Sequence, residues 1–345
     1  MELKKIYTDD ITALVAFAES RIGGRQENQD SYGWAKTPFG YLVTVCDGMG
    51  GGPGGKTASS IAVREIIDSV VAGDKEQKPG NIIIQAIRKA NMAILEAGSE
   101  NPKLQGMGST ATVLLVSEQS AIIAHVGDSR VYQLRDGKKV FRTFDHSMVF
   151  EMVKQGVITE EQARLSSQSN VITRALGIKP DLEVEVNEVP YLKGDRFALC
   201  SDGIHGELVE KDFVKMLSNK KRNIGSVVDD IATLVDNTGR SGGGGHDNLT
   251  LAVVEMNTNS KLKTKMTKQT KLTLLVLAVV CALSIALNIS QAVGKSSSDV
   301  QSMKDSFTVY KDSTVKLKTT VDTLNKKVVD LQGRIKKAEQ ALGNK

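Results

Sequence analysis

Apolar positions recur at three- and four-residue spacing in four stretches, 56–71, 81–98, 146–156 and 226–239. That spacing predicts amphipathic helices, each with one face on a core. Between them lie shorter apolar and β-branched runs: YLVTVCD (41–47), ATVLLVS (111–117), AIIAHVGDSRVYQLRDGKKV (121–140), DRFALCSD (195–202) and NLTLAVVEM (248–256). These read as strands. The third is broken at Gly127-Asp128 and later carries RDGK, a hairpin turn. Runs joined by short turns favour antiparallel pairing over parallel βαβ units.

The pattern changes after residue 256. Residues 257–271 are a polar, lysine-rich linker. Residues 272–289 are 18 in number and carry no charge, which predicts a transmembrane helix at the short end of the range. The alternative is a buried core helix. Five lysines precede the span and only Lys295 follows closely, so the positive-inside rule places the N-terminal domain in the cytoplasm and the tail outside. After a linker at 290–305, the tail 306–345 repeats every seven residues. Phe307, Thr314, Val321, Val328, Ile335 and Leu342 form one set, with Tyr310, Leu317, Leu324, Leu331 and Ala338 interleaved. β-Branched residues in the first set and leucines in the second favour a parallel two-stranded coiled coil, hence a homodimer; a lone amphipathic helix is the alternative.

Composition changes the picture little. The chain has 345 residues, 40% hydrophobic and 25% charged, which is ordinary for a soluble core. Its net charge of +5 lies largely beyond residue 260, so no nucleic-acid partner is expected. Of three cysteines, Cys46 and Cys200 sit in strand-like runs and Cys281 in the span; none forms a CxxC pair. This argues against a disulfide framework or a zinc site and fits a reducing compartment. The N-terminus, MELKKIYTDD, lacks the apolar core of a secretory signal.

Candidate chemistry lies where the runs end. VCDGMGG, HVGDS and CSDG each close an apolar run on an aspartate, at Asp47, Asp128 and Asp202. Asp247 opens a run behind four glycines, and Asp30 closes RQENQD. Turn propensity explains each site alone. Together, carboxylates flanked by glycine suit a hard divalent cation such as Mg2+ or Mn2+. Arg25 stands five residues before Asp30 and offers a planar fork to phosphate oxygens. With no Ser-His or Cys-His pairing, the set points to hydrolysis by a metal-activated water. A rival reading is a nucleotide-binding loop, since Gly50–Thr57 fits GxxxxGK[ST]. It leaves the other strand-end carboxylates unexplained.

In their order, RQENQD, VCDGMGG, GMGSTAT, HVGDSRVY, DHSMV, VITRALG, CSDGI and GHDNLTL resemble the type 2C metal-dependent protein phosphatases, in their bacterial branch. The resemblance spans about 14–255. It implies an α+β fold for residues 1–256, a sandwich of two antiparallel sheets flanked by helices. It implies removal of phosphate from phosphoserine and phosphothreonine in proteins, a cognate serine/threonine kinase, and two or three Mn2+ or Mg2+ ions per domain. On that resemblance Asp47 bridges two metals and the Gly48 carbonyl is a ligand. Asp202 and Asp247 hold the first metal, and Asp128 an additional one. Arg25 binds phosphate, and Asp30 orients a water.

Two departures stand out. Gln29 occupies a position where many members carry an acid, which weakens the second metal's expected hold. Met49 replaces the histidine that serves as general acid in animal members. His146 and His246 are candidates for that role by type only, and loop-holding is their more expected part. The expected protein is therefore a single-pass, membrane-anchored phosphatase. The alternatives are a weakly active or inactive phosphoprotein-binding regulator, and a scaffold built around the coiled coil.

Overall fold

The structure is a computed structural model, and it describes residues 4–8, 14–50, 53–166, 168 and 171–262. The expected span 272–289 and coiled coil 306–345 lie outside the described residues. Among the described residues no helix is long and apolar enough to cross a membrane.

The chain begins with β1 (Lys4–Thr8), β2 (Leu14–Arg21), β3 (Ser31–Thr37), β4 (Gly40–Cys46) and the two-residue β5 (Gly48–Met49). Helices α1 (Pro53–Val71) and α2 (Pro79–Glu100) follow. Next come β6 (Gly108–Ser109), β7 (Ala111–Val116), β8 (Ala121–Val126), β9 (Arg130–Arg135) and β10 (Lys138–Arg142). Two short helices, α3 (Met148–Lys154) and α4 (Glu160–Arg164), precede β11 (Glu185–Val189) and β12 (Arg196–Cys200). Then α5 (Asp202–His205), α6 (Glu210–Leu217), α7 (Ile224–Ser241) and β13 (Leu249–Met256) complete the order.

Two antiparallel sheets result. One has the order β1-β2-β13-β12-β9-β10 and the other β11-β8-β7-β4-β3; β5 and β6 make a separate small ribbon. Helices α1 and α2 cover the outer face of the five-stranded sheet, and α6 and α7 that of the six-stranded sheet. The expected sandwich flanked by helices is thus present. Its strands pack on both faces. In β7, Val113 and Leu115 meet the helices, while Leu114 and Val116 lie between the sheets. Doubly buried strands lose the in-out alternation of a half-exposed sheet, and so ATVLLV is apolar throughout.

Each of the four predicted helices is present, with shifted ends. RDGK forms the expected tight turn: Asp136 (φ 48°) and Gly137 (φ 79°) link β9 to β10. The Gly127-Asp128 break has a larger role than a turn, because the chain crosses there from the five-stranded to the six-stranded sheet. Gly127 takes φ 100° there, a region open to glycine. β1, β2, β3 and β11, with the helices α4, α5 and α6, were not among the expected elements. The described chain ends pinned against the β7–β8 turn, with Leu262 N–H donating to Gln119 O at 2.6 Å.

Candidate active site

β4 delivers Asp47, β8 delivers Asp128 through Gly127, and β12 delivers Asp202 at the start of α5. Asp247 precedes β13, and Asp30 precedes β3. All five positions meet at one end of the sandwich. Asp47 is fixed through its backbone: its N–H donates to Thr110 Oγ1 (2.9 Å) and its carbonyl accepts from Thr110 N–H (2.8 Å). The cleft there has a volume of about 720 Å3 and is lined by Arg25, Gln29, Asp47, Asp128, Asp202 and Asp247, among others. A smaller recess of about 460 Å3 shares Arg25, Asp128, Asp202 and Asp247 with it. Asp30 lies beneath the cleft floor, 2% exposed.

The carboxylates are held in an environment that opposes their charge. Burial pushes Asp30 up to about 7, while hydroxyl donors from Thr250 and Ser201 pull it back and the charges of Asp202 and Asp247 raise it. Asp47 is raised well above the carboxylate range by burial and by Asp30, Asp202 and Asp128. Asp128 is raised by burial and by Asp202, and Asp202 by burial and by Asp247. Oδ1 of Asp30 and Oδ1 of Asp202 are buried with no hydrogen-bond partner. Clustered buried carboxylates with orphaned oxygens are costly unless a cation or protons compensate them. That donor set fits hard divalent cations.

Arg25 Nη2 pairs with Asp247 Oδ2 at 2.8 Å, the two side chains being 52% and 42% exposed. So open a pair can exchange its carboxylate for a phosphate. Gly48 packs closely: a Cβ there would stand 2.0 Å from Gly55 O. Gln29 is held by its backbone, its N–H donating to Asn248 Oδ1 (2.8 Å) and its carbonyl accepting from Ser59 Oγ. Its side-chain oxygen lies against Gly55 in α1.

Residues 19–238 match the family described as Protein phosphatase 2C. The chain belongs to that family. It is 33% identical over 242 residues to the serine/threonine phosphatase stp of Listeria innocua, a match covering 69% of this chain and 90% of that one. To the serine/threonine protein phosphatase PstP of Mycobacterium tuberculosis it is 32% identical, over 71% of this chain and 46% of PstP. Among solved structures, Stp1 from Staphylococcus aureus superposes with a TM-score of 0.64 at 27% identity, over 71% of this chain and 96% of that one. The catalytic domain of PstP in complex with two manganese ions gives 0.59 at 30% identity, over 70% and 97%. The enzyme class follows, a protein serine/threonine phosphatase.

Within this family setting the other candidates sort themselves. Lys56, the lysine of the GxxxxGK[ST] string, donates to Asp30 O (2.8 Å) and Ser31 Oγ (3.1 Å). It ties α1 to the start of β3 instead of crowning a nucleotide loop. His246 is buried and bonds Asp236 in α7 through Nε2 at 2.9 Å. His146 Nδ1 accepts from Gly127 N–H (3.2 Å) and its Nε2 faces Glu185 at 3.5 Å. Both hold loops, as their expected part was. The donor atoms of His125, His146 and Glu185 do lie within 4.8 Å of one another. Yet the two rings stack at 4.4 Å and 22°, so their lone pairs run in nearly parallel planes and do not converge. The Gly127 amide also occupies the lone pair of His146. This trio is a hydrogen-bonded latch on the sheet edge, not a metal centre.

Sequence reasoning missed several residues. His205 Nε2 donates to Asp128 O (3.1 Å), and burial pushes its ring down to about 3. Its place one helical turn after Asp202, in CSDGIH, was the available signal. Thr110, Ser201 and Thr250 also hold the aspartates, and no periodicity marks them.

Proposed function

We propose that this protein dephosphorylates phosphoserine and phosphothreonine in other proteins while anchored to a membrane by residues 272–289. Mn2+ or Mg2+ is its cofactor. The observation that carries the reading is the aspartate set gathered at one end of the sandwich, in which Oδ1 of Asp30 and Oδ1 of Asp202 are buried without a partner. Asp47, the Gly48 carbonyl, Asp202 and Asp247 would hold two ions, and Asp128 a further one. When bound, the ions supply Lewis acidity that lowers the pKa of water and neutralises phosphoryl charge. Arg25 leaves Asp247 for the substrate phosphate and orients it by a two-pronged contact. Asp30, beneath the cleft floor with its Oδ1 unpartnered, would orient the attacking water and take up its proton. Met49 lines the cleft but has no proton to give, so another group protonates the leaving oxygen.

The membrane reading rests on the uncharged run and its five preceding lysines. In it the domain is cytoplasmic, the tail lies outside and pairs as a coiled coil, and a serine/threonine kinase supplies the substrates. The last described residues lie beside Gln119, at the end of β7 remote from Asp47. One observation favours a second reading, a weakly active phosphoprotein-binding regulator: Gln29 brings no charge to the cleft.

The test uses residues 1–264, which form one compact unit. Hydrolysis of p-nitrophenyl phosphate and of a phosphothreonine peptide should require Mn2+ or Mg2+ and stop in chelator. Full activity in chelator would overturn the metal mechanism, and binding of the peptide without turnover would favour the regulator.

A further inference from the structure

Asp30 sits in a closed ring of hydrogen bonds whose sense is fixed. Its own N–H donates to Asn28 Oδ1 at 3.2 Å. A backbone amide can only donate, so this contact decides which end of the Asn28 carboxamide is oxygen. Asn28 Nδ2 therefore points the other way and donates to Ser20 Oγ at 2.9 Å. At the opposite side of the ring, Thr250 Oγ1 lies 2.6 Å from Asp30 Oδ2. Oδ2 is the acceptor in this contact, so the Thr250 hydrogen is committed to it. The 2.7 Å contact between Ser20 and Thr250 must then carry the Ser20 hydrogen. Every link from Asn28 through Ser20 and Thr250 runs toward the one oxygen, each polarising the next. Ser201 Oγ donates to the same Oδ2 at 2.8 Å, and is itself aimed by the Thr250 N–H at 3.0 Å.

The fold makes the ring possible. Ser20 and Thr250 are cross-strand partners in β2 and β13, and Ser201 follows β12 in the same sheet. Asp30 reaches them from the start of β3 in the other sheet.

We propose that this ring, with Ser201, reserves Oδ1 of Asp30 for the reaction, and that Asn28, Ser20, Thr250 and Ser201 are positioning residues for hydrolysis. Two hydroxyl donors fill Oδ2. Oδ1 is buried and partnerless, and is the one oxygen left to receive a proton. The proposal rests on the phosphatase reading above.

Full-length protein is assayed with saturating Mn2+ and p-nitrophenyl phosphate. Thr250→Val, which keeps shape and removes the hydroxyl, should lower kcat by about 10- to 100-fold, the usual loss for a group supporting a site residue, with KM nearly unchanged. Thr250→Ser restores the hydroxyl and should return kcat to near wild type. Asn28→Asp turns a donor into an acceptor and reverses the Ser20 hydrogen, so kcat falls again. Because both changes break one ring, the double variant should be barely worse than the weaker single one. If Thr250→Val unfolds, Thr250→Ser and Asn28→Asp carry the test by the same kcat readout. Wild-type kcat in Thr250→Val or in Asn28→Asp, a loss confined to KM, or multiplicative effects in the double variant would each overturn the ring while leaving the phosphatase reading intact. A wild-type protein inert with Mn2+ would overturn that reading, and this proposal with it.

Discussion

Asp47 and Gln29 are two residues of the cleft whose side chains test its charge directly. Asp47 stands among Asp30, Asp202 and Asp128, and its negative charge is what a pair of cations would share. Asp47→Asn keeps the shape and removes that charge, so turnover should fall below detection in the Mn2+ assay while the melting temperature holds or rises. A retained kcat would exclude Asp47 as a shared ligand. Gln29→Glu adds a carboxylate to the cleft. It should lower the Mn2+ concentration giving half-maximal activity several-fold, since affinity for a hard cation follows the ligand charge count. An unchanged Mn2+ titration would place the Gln29 side chain outside the second metal's reach. Its oxygen already lies against Gly55, so the carboxylate must rotate toward the cleft to act.

At the scale of elements, α7 serves as a backboard for the loop that carries Asp247. Gly239 in that helix faces the His246 ring, and a Cβ there would stand 2.2 Å from His246 Cγ. His246 also bonds Asp236 one turn earlier. Gly239→Ala must push the ring, and with it Asp247, out of place. The cost of such overpacking is about 1–3 kcal/mol, seen as a lower melting temperature, and activity should drop alongside. The sheet edge behaves differently with pH. Burial and the neighbouring His146 lower His125 from the ordinary 6.5 to about 4, so the folded ring stays neutral where the unfolded one binds a proton. Stability should therefore fall as pH drops from about 6.5 to about 4, by roughly 3 kcal/mol from this group. Urea midpoints across that window measure it. His125→Gln should flatten the slope, and an unchanged slope would assign acid sensitivity to other groups.

For the whole molecule, labelling and sedimentation test how the phosphatase domain is carried. A cysteine placed at the exposed Lys103 should resist an impermeant thiol reagent in intact cells, while one at Ser298 should react. The reverse labelling would put the domain outside. Leu324→Lys with Leu331→Lys places charges in the expected seam, where an unpaired buried charge is costly. The isolated tail should sediment as a helical dimer and the double variant as a monomer. No GxxxG occurs in 272–289, so in the membrane reading the expected coiled coil, and not pairing of the spans, would supply the association.

Much of the site was legible along the chain because chemistry demanded particular residue types at strand ends. Asp47, Asp128, Asp202 and Asp247 each sit where an apolar run meets glycine, and the structure brings all four to one cleft. Helix periods and the RDGK turn were legible for a similar reason, since each depends on neighbours within a few residues. The strand β3, in contrast, carries SYGWAKT, a weakly patterned run that is a strand because β4 pairs with it. Sheet order, with β13 between β2 and β12, depends on contacts between residues more than 200 positions apart, as Ser20 and Thr250 are. The hydroxyls that hold Asp30 share that origin. A serine or threonine in a strand has no local mark of function, and acquires one only when folding sets it opposite a buried carboxylate. Sequence by itself determined which groups could do chemistry; tertiary structure decided which oxygen of Asp30 is left free to do it, because only packing from both sheets could occupy the other.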